Sequence, residues 1–187
     1  SLDLTEHSIR GGVEVVNPNY NYTGNSVNFN IFSKKTDNPD SGFENTLTSL
    51  GIGTRFEQYK NVYLGPHLEL AFDDLKVDST ASSALKKQEG SFTDLTFSYG
   101  VDKDTRDRRF MPTSGSIIGF SQGFPIYSEE QASILNRFSL SKYHGFSDDV
   151  IGAIKFYISG VTALEENVRL SKRLHIPSKR LRGFESK

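Results

Sequence analysis

An alternation of apolar and polar residues runs through most of this chain, and it is clearest between Asn61 and Asp73. Odd positions there include His67, Glu69 and Asp73, whereas the even positions are apolar. Because successive side chains of a β-strand point to opposite faces, this pattern predicts a strand with one polar face and one apolar face. The apolar positions are Val62, Leu64, Pro66, Leu68, Leu70 and Phe72.

Seven further segments show the same period, so we predict eight strands and an all-β fold. The longer segments exceed the ordinary strand of about five or six residues and match the length that a tilted strand needs to cross a bilayer. The only helical candidate is brief, Ser82 to Glu89. The further segments are Ile9 to Val16, Ser26 to Ser33, Leu50 to Glu57, Thr93 to Asp102, Ser116 to Phe124, Gln131 to Tyr143 and Val150 to Thr162.

The connections between these segments differ in length. Residues 33–42 and 73–90 form long polar stretches, whereas residues 58–60 and 145–148 are predicted to be tight turns. Long connections on one side and short ones on the other are typical of the antiparallel up-and-down meander of a transmembrane β-barrel. The 187 residues suggest a single domain with no internal boundary.

A soluble eight-stranded barrel is the alternative explanation of the alternation, and the polar face separates the two. A soluble barrel of this size fills its interior with apolar side chains. Here the polar face carries Arg55, Glu69, Asp94 and Lys155, which need water or partners. We therefore predict a water-filled lumen. The mean hydropathy of -0.46 does not oppose a membrane barrel, because alternating faces average to a hydrophilic value.

Residues suited to catalysis or cofactor binding are not grouped in this sequence. It contains no Cys, and its four His residues lack metal-site spacing. Gly51 and Gly53 lack the third glycine of a dinucleotide loop and are better explained as lumen-facing glycines of a strand. The basic stretch after Glu166 has too few interleaved aromatics for a nucleic-acid surface. We expect no enzymatic activity, no cofactor, no metal and no nucleic-acid partner.

Two short motifs lie mainly in the connections rather than in the strands. The first covers the connection after the strand at Thr93 to Asp102, where Pro112 fixes its own φ and Gly115 permits a positive φ. The second lies in a long loop at residues 163–187, where a cation, a glycine and an aromatic follow one another. The motif residues are Gly100, Asp104, Arg106, Asp107, Pro112 and Gly115 in the first, and Leu181, Arg182, Gly183 and Phe184 in the second.

Both motifs resemble those of the Omp85 superfamily, in which the first is a periplasmic turn and the second a hallmark of a large extracellular loop. They occur in the expected order, separated by three predicted strands. The run from Asn167 to Arg173, together with the loop motif, is most similar to the barrel-assembly members. One departure is the stretch from His175 to Ser178, where members commonly carry two glycines.

The resemblance implies that residues 1–187 form about eight strands of a larger outer-membrane barrel, preceded in the whole protein by periplasmic POTRA domains. The implied function is non-enzymatic insertion of client outer-membrane proteins in the bacterial outer membrane. The implied partners are the lipid bilayer, client barrels and accessory lipoproteins. Two alternatives remain open: a translocation pore for two-partner secretion or autotransporter assembly, and a self-contained eight-stranded binding barrel.

The resemblance also implies a position for Arg182. The loop tip is expected to fold back into the lumen, where the guanidinium pairs with a wall carboxylate. In the family that carboxylate lies on strands after the loop, so here Arg182 is expected to lack its partner or to use Glu69 or Asp94 instead.

Overall fold

A computed structural model describes residues 2–5, 8–39, 42–79, 81–147, 149–165 and 167–174 of the chain. Over these residues nine antiparallel strands form one sheet, in the order of the sequence. The strands are β1 (Leu2–Thr5), β2 (Ser8–Asn17), β3 (Ser26–Asn38), β4 (Phe43–Tyr59), β5 (Val62–Val77), β6 (Gly90–Asp104), β7 (Gly115–Ser128), β8 (Ser133–Gly145) and β9 (Ile151–Ala163).

Helical structure is minor in the described residues. The four-residue helix α1 (Ser83–Lys86) lies between β5 and β6, where the Ser82 hydroxyl accepts a hydrogen bond from the Leu85 amide, as expected for an N-cap. It falls within the one predicted helical candidate. Short 3₁₀ turns occupy Tyr20–Tyr22 and Leu170–Lys172. None of these helices has the length and apolar character that crossing a membrane would require.

Each strand pairs with the next one along the chain, which confirms the predicted up-and-down topology. In the β5–β6 pair, His67 lies opposite Ser98 and Leu68 lies opposite Phe97. The polar residues of the two strands therefore share one face of the sheet, and the apolar residues share the other. Within the described residues β1 and β9 have one neighbouring strand each, and the sheet is therefore open.

The two faces of the sheet differ as the alternation predicts. An open concavity of about 1630 Å³ is lined by His67, Glu69 and Asp73 of β5 together with polar residues of β6 to β9. Leu68 and Phe72 lie on the opposite, convex face and are partly exposed. Among the described residues only Leu75 and Phe92 are buried hydrophobic side chains, so most of the apolar surface faces outward.

Gly51 and Gly53 lie on the concave face, as predicted. A Cβ atom on Gly51 would lie 2.7 Å from Nε2 of His67, and one on Gly53 would lie 2.7 Å from Nδ1 of the same ring. The imidazole therefore occupies the space that two side chains of β4 would fill. The pairing of Gly51 with Glu69 and of Gly53 with His67 places the glycines beside the ring.

Some predicted strand ends were wrong. Residues 33–42 were expected to form a long loop, but β3 continues to Asn38 and β4 begins at Phe43. The hydrogen-bonded pairing of β3 with β4 continues beyond the apolar residues. In its polar part, an ion pair of 2.7 Å joins Lys35 of β3 to Glu44 of β4. The short strand β1 was not predicted, because four residues are too few for the alternation to be recognised.

Candidate functional site

The chain turns back over the concave face after β9. The Leu164 amide donates to the Ala132 carbonyl at 2.8 Å, and the Gln131 amide donates to the Glu165 carboxylate at 2.9 Å. These bonds tie the end of β9 to the β7–β8 connection. Residues 167–174, which we call the docked segment, then reach the β5–β6 side of the sheet, where the Leu170 amide donates to the side-chain oxygen of Gln88 at 3.0 Å.

Arg169 is the centre of this contact and is fully buried. Its Nη1 lies 2.8 Å from Oδ2 of Asp94 and 3.6 Å from Oδ2 of Asp73. The guanidinium carbon stands 4.0 Å from the centroid of the Phe92 ring, a cation–π geometry. Nη2 donates to the carbonyl of Glu130. The cation is thus held by two carboxylates, an aromatic face and a backbone carbonyl.

Lys172 and two hydroxyl groups complete the cluster. The Lys172 ammonium lies 2.9 Å from Oδ1 of Asp94, and the hydroxyl of Ser171 donates to Asp73. Ser128 donates to Asp94 at 2.5 Å. Two cations therefore balance two carboxylates, which offsets the cost of removing these charges from water. Within this cluster two buried atoms, Nε of Arg169 and Oδ1 of Asp73, have no hydrogen-bond partner in the described residues.

The strand register explains why the two carboxylates meet. Asp73 of β5 lies directly opposite Phe92 of β6, and Asp94 follows two residues later on the same face. Residues two apart in a strand share a face, so Asp73, Phe92 and Asp94 form a three-sided socket. The sequence predicted that both carboxylates face the lumen, and this is confirmed by their place in the lining of the concavity.

This arrangement is a mechanical anchor for the docked segment. Within the described residues there is no group of three or more His, Asp or Glu side chains that could hold a metal ion. The socket accepts one guanidinium and one ammonium from a single run of chain. It therefore fixes the path of the polypeptide across the concavity.

The predicted loop residues Leu181, Arg182, Gly183 and Phe184 lie outside the described residues, so their position remains a prediction. Asp94, one of the two substitute partners expected for Arg182, is already engaged by Arg169 and Lys172. Sequence reasoning missed Arg169 as a lumenal cation. The available signal was the pair of inward-facing carboxylates on neighbouring strands, which together required positive charge from elsewhere in the chain.

The predicted turn motif forms a rigid connection between β6 and β7. Asp104 and Arg106 make a paired interaction, with Nε to Oδ1 at 2.8 Å and Nη2 to Oδ2 at 2.7 Å. Gly115 has a φ of +90°, and a Cβ there would lie 2.2 Å from the carbonyl oxygen of Thr105. The prediction that Gly115 supplies a positive φ is confirmed.

Asp107 holds the two sides of the same connection together through its side chain. Its carboxylate accepts bonds from the Thr113 amide at 3.0 Å, the Thr113 hydroxyl at 2.6 Å and the Ser114 amide at 3.2 Å. The hydroxyl bond of Thr113 and these amide bonds lower the pKa of Asp107 to about 2. Pro112 precedes the closing residues. Five of the six predicted turn residues therefore lie in or at the ends of one connection.

The remaining motif residue, Gly100, lies within the strand that the alternation predicts at Thr93 to Asp102. It lies inside β6, paired with Gly65 of β5 and Ser121 of β7, four residues before the strand ends. A Cβ there would meet its nearest atoms at ordinary contact distance, 3.9 Å. Gly100 is a residue of the concave wall, because it lines the concavity together with Ser98 and Ser121.

Comparisons with known proteins agree with this architecture. The family model described as the Omp85 superfamily domain matches residues 1–187. The crystal structure of BamA from Haemophilus ducreyi lacking POTRA domains 1–3 superposes with a TM-score of 0.75 at 16% sequence identity. That match covers 90% of this chain and 36% of the other, so the chain spans about a third of the BamA structure. No curated protein matches the sequence.

We predict that Arg169→Ala releases the docked segment. The change leaves Asp73 and Asp94 buried with one cation fewer, and losing one partner of a buried pair costs about 3 to 5 kcal/mol. Limited proteolysis within residues 163–187, combined with urea unfolding of the whole protein, measures both effects. Arg173→Ala is the control, because Arg173 belongs to the same segment but is exposed; it should change stability by less than about 0.5 kcal/mol. Equal behaviour of the two variants would contradict the anchoring role.

We also predict a pH dependence of the β6–β7 connection. The folded pKa of Asp107 is about 2, below its ordinary value of 3.8. Its stabilising effect is therefore complete above the ordinary value and disappears as the pH falls through about 2. Hydrogen-exchange protection of the Thr113 and Ser114 amides should fall over that range. Asp107→Asn should reduce protection already at neutral pH, whereas Asp149→Asn, in the neighbouring β8–β9 connection, should not. Unchanged protection in Asp107→Asn would show that the carboxylate does not hold this connection.

Proposed function

The chain belongs to the Omp85 superfamily, and from this premise we propose that it forms part of a bacterial outer-membrane barrel that inserts other outer-membrane β-barrel proteins. The proposed partners are the lipid bilayer, client barrel proteins and accessory lipoproteins of an assembly complex. The proposed role is not enzymatic. Because the chain spans about a third of the similar BamA structure, the function belongs to the whole protein of which this sheet is a wall.

The dimensions of the convex face support a place in the bilayer. Its apolar positions on β5 run from Val62 to Phe72, a span of about 33 Å along the strand at 3.3 Å per residue. With the usual barrel tilt of about 40°, this span corresponds to about 25 Å along the membrane normal. That height equals the apolar band of outer-membrane barrels.

The single observation that carries the insertion proposal is the anchored docked segment. Arg169 holds the chain after β9 across the concave face, so this polypeptide occupies lumen space that a translocated chain would need. A client that inserts sideways needs no path through the lumen, because its strands can add to a sheet edge by β-augmentation. An anchored loop therefore favours insertion at a seam over passage through a pore.

A translocation pore is the second candidate function, and one observation favours it. Polar side chains line part of the concavity of about 1630 Å³, among them Ser98, Arg137, Ser139 and Lys155. Such a wall would suit a polypeptide in transit, provided that the docked segment first left its socket. A self-contained eight-stranded barrel fits less well, because the match to part of a longer BamA structure favours a piece of a larger barrel.

The function is tested in cells that depend on the full-length protein. Arg169→Ala and Arg173→Ala variants would replace the wild type at equal membrane levels, and folded client barrels would be counted by their heat-modifiable mobility on gels. We expect fewer folded clients for Arg169→Ala and a normal number for Arg173→Ala. Normal client barrels together with loss of a secreted partner protein would instead support the pore. No defect in either readout would contradict both functions.

We further predict different tolerance of the two faces of β5. Leu68→Arg places a charge on the convex face and should cost about 2 to 4 kcal/mol near mid-membrane, whereas Glu69→Gln changes only the wet concave face. Leu68→Arg should abolish stable insertion of the full-length protein into vesicles, and Glu69→Gln should not. Because Leu68 and Glu69 are neighbours in one strand, the two variants test opposite faces of the sheet at the same place along the strand. Equal insertion of both variants would argue against a transmembrane strand.

A further inference from the structure

The tip of the β6–β7 connection exposes two large apolar side chains. Phe110 is 82% exposed and Met111 is 69% exposed, and Arg108 and Arg109 precede them directly. We propose that residues 108–111, the turn tip, insert into the interface of the adjacent membrane leaflet and bind anionic phospholipid headgroups. This proposal rests on the proposed function in one respect only, namely that the sheet spans a bilayer.

The turn tip is held on a rigid frame. The Asp104–Arg106 pair, the three bonds to Asp107 and the positive φ of Gly115 fix both ends of the connection. Met111 itself has a φ of 48°, which is an uncommon conformation for a residue with a side chain. On this frame the side chains of Phe110 and Met111 extend away from the rest of the protein.

The chemistry of the turn tip fits a lipid interface. An exposed aromatic beside a thioether gains free energy when it leaves water, and arginine forms bidentate, charge-assisted bonds with phosphate. The Asp107 carboxylate accepts hydrogen bonds from Thr113 and Ser114 and also forms an ion pair of 3.6 Å with Arg108, whose side chain remains 59% exposed. Two arginines next to an apolar pair therefore match a surface that is both negative and apolar beneath its headgroups.

The position of the turn tip supports the same partner. Lys103 and Ile118 are paired residues near the ends of β6 and β7 on the convex face, so the tip continues beyond the proposed lipid-facing surface. At the same end of the sheet, Tyr59 next to the β4–β5 turn and Phe146 of the β8–β9 connection are also exposed. Exposed aromatic residues at the ends of membrane strands typically lie at the headgroup level.

The experiment uses the full-length protein in nanodiscs, with tryptophan introduced by Phe110→Trp. This chain contains no Trp, and the parent protein supplies the background spectrum. Ser83→Trp is the matched control, because Ser83 lies in the β5–β6 connection at the opposite end of the sheet. The nanodiscs contain brominated phosphatidylcholine, with or without brominated phosphatidylglycerol. We expect strong quenching at position 110, weak quenching at position 83, and a gain at position 110 when phosphatidylglycerol is present.

The arginines are tested on the same probe. Each Arg→Gln change at Arg108 or Arg109 should lower the ratio of lipid-bound to free turn tip about fivefold in anionic bilayers, and Arg→Lys at both sites should largely retain binding. Equal quenching at positions 110 and 83, or no effect of phosphatidylglycerol, would overturn the proposal. So would a blue shift at position 110 without lipid quenching, which indicates a protein partner. Failure of every variant, control included, to enter nanodiscs would overturn the bilayer placement as well.

Discussion

The antiparallel register of the sheet is the constraint on which the rest of the structure depends. Because a strand exposes alternate residues on opposite faces, a slip of one residue would exchange the apolar and polar faces. The observed pairing of Leu68 with Phe97 and of His67 with Ser98 keeps the two faces separate. It also sets Gly51 and Gly53 under the ring of His67. A convex apolar face and a concave polar face follow from that one condition.

The same register also determines where the end of the described chain lies, because it brings together two carboxylates that need positive charge. Asp73 and Asp94 come together on the concave face beside Phe92, and two carboxylates in a confined site cannot remain without positive charge. Arg169 and Lys172 supply it from a segment that is distant in sequence. The docked segment is thus held by the carboxylates that strand pairing places on the concave face, and this connects the register to the proposed insertion function. In the proposed function, a loop anchored on the concave face leaves the edge of the sheet free for pairing with a client.

The two ends of the sheet show different uses of charge. The charges of the Arg169 cluster are paired and largely buried, so their bonds hold the docked segment in place. At the β6–β7 connection, Asp104 and Asp107 accept hydrogen bonds from within the connection, and Arg108 forms an ion pair of 3.6 Å with Asp107. Arg108 and Arg109 nevertheless stay exposed beside Phe110 and Met111, so their guanidinium groups remain accessible to the surroundings. This division fits a barrel wall with an anchored lumen and a surface in contact with headgroups.

The sequence by itself determined eight of the nine strands, their two faces and the turn. The period-two pattern fixed the inward direction of His67 and Glu69, and the need for a positive φ identified Gly115, because both are local properties of the backbone. The ends of β3 and β4 were not predictable, since polar residues continue a ladder without alternation. The burial of Arg169 was decided by tertiary structure alone. Pairing between residues 75 positions apart depends on strand register and on the return of the chain over the sheet, and no local pattern encodes either.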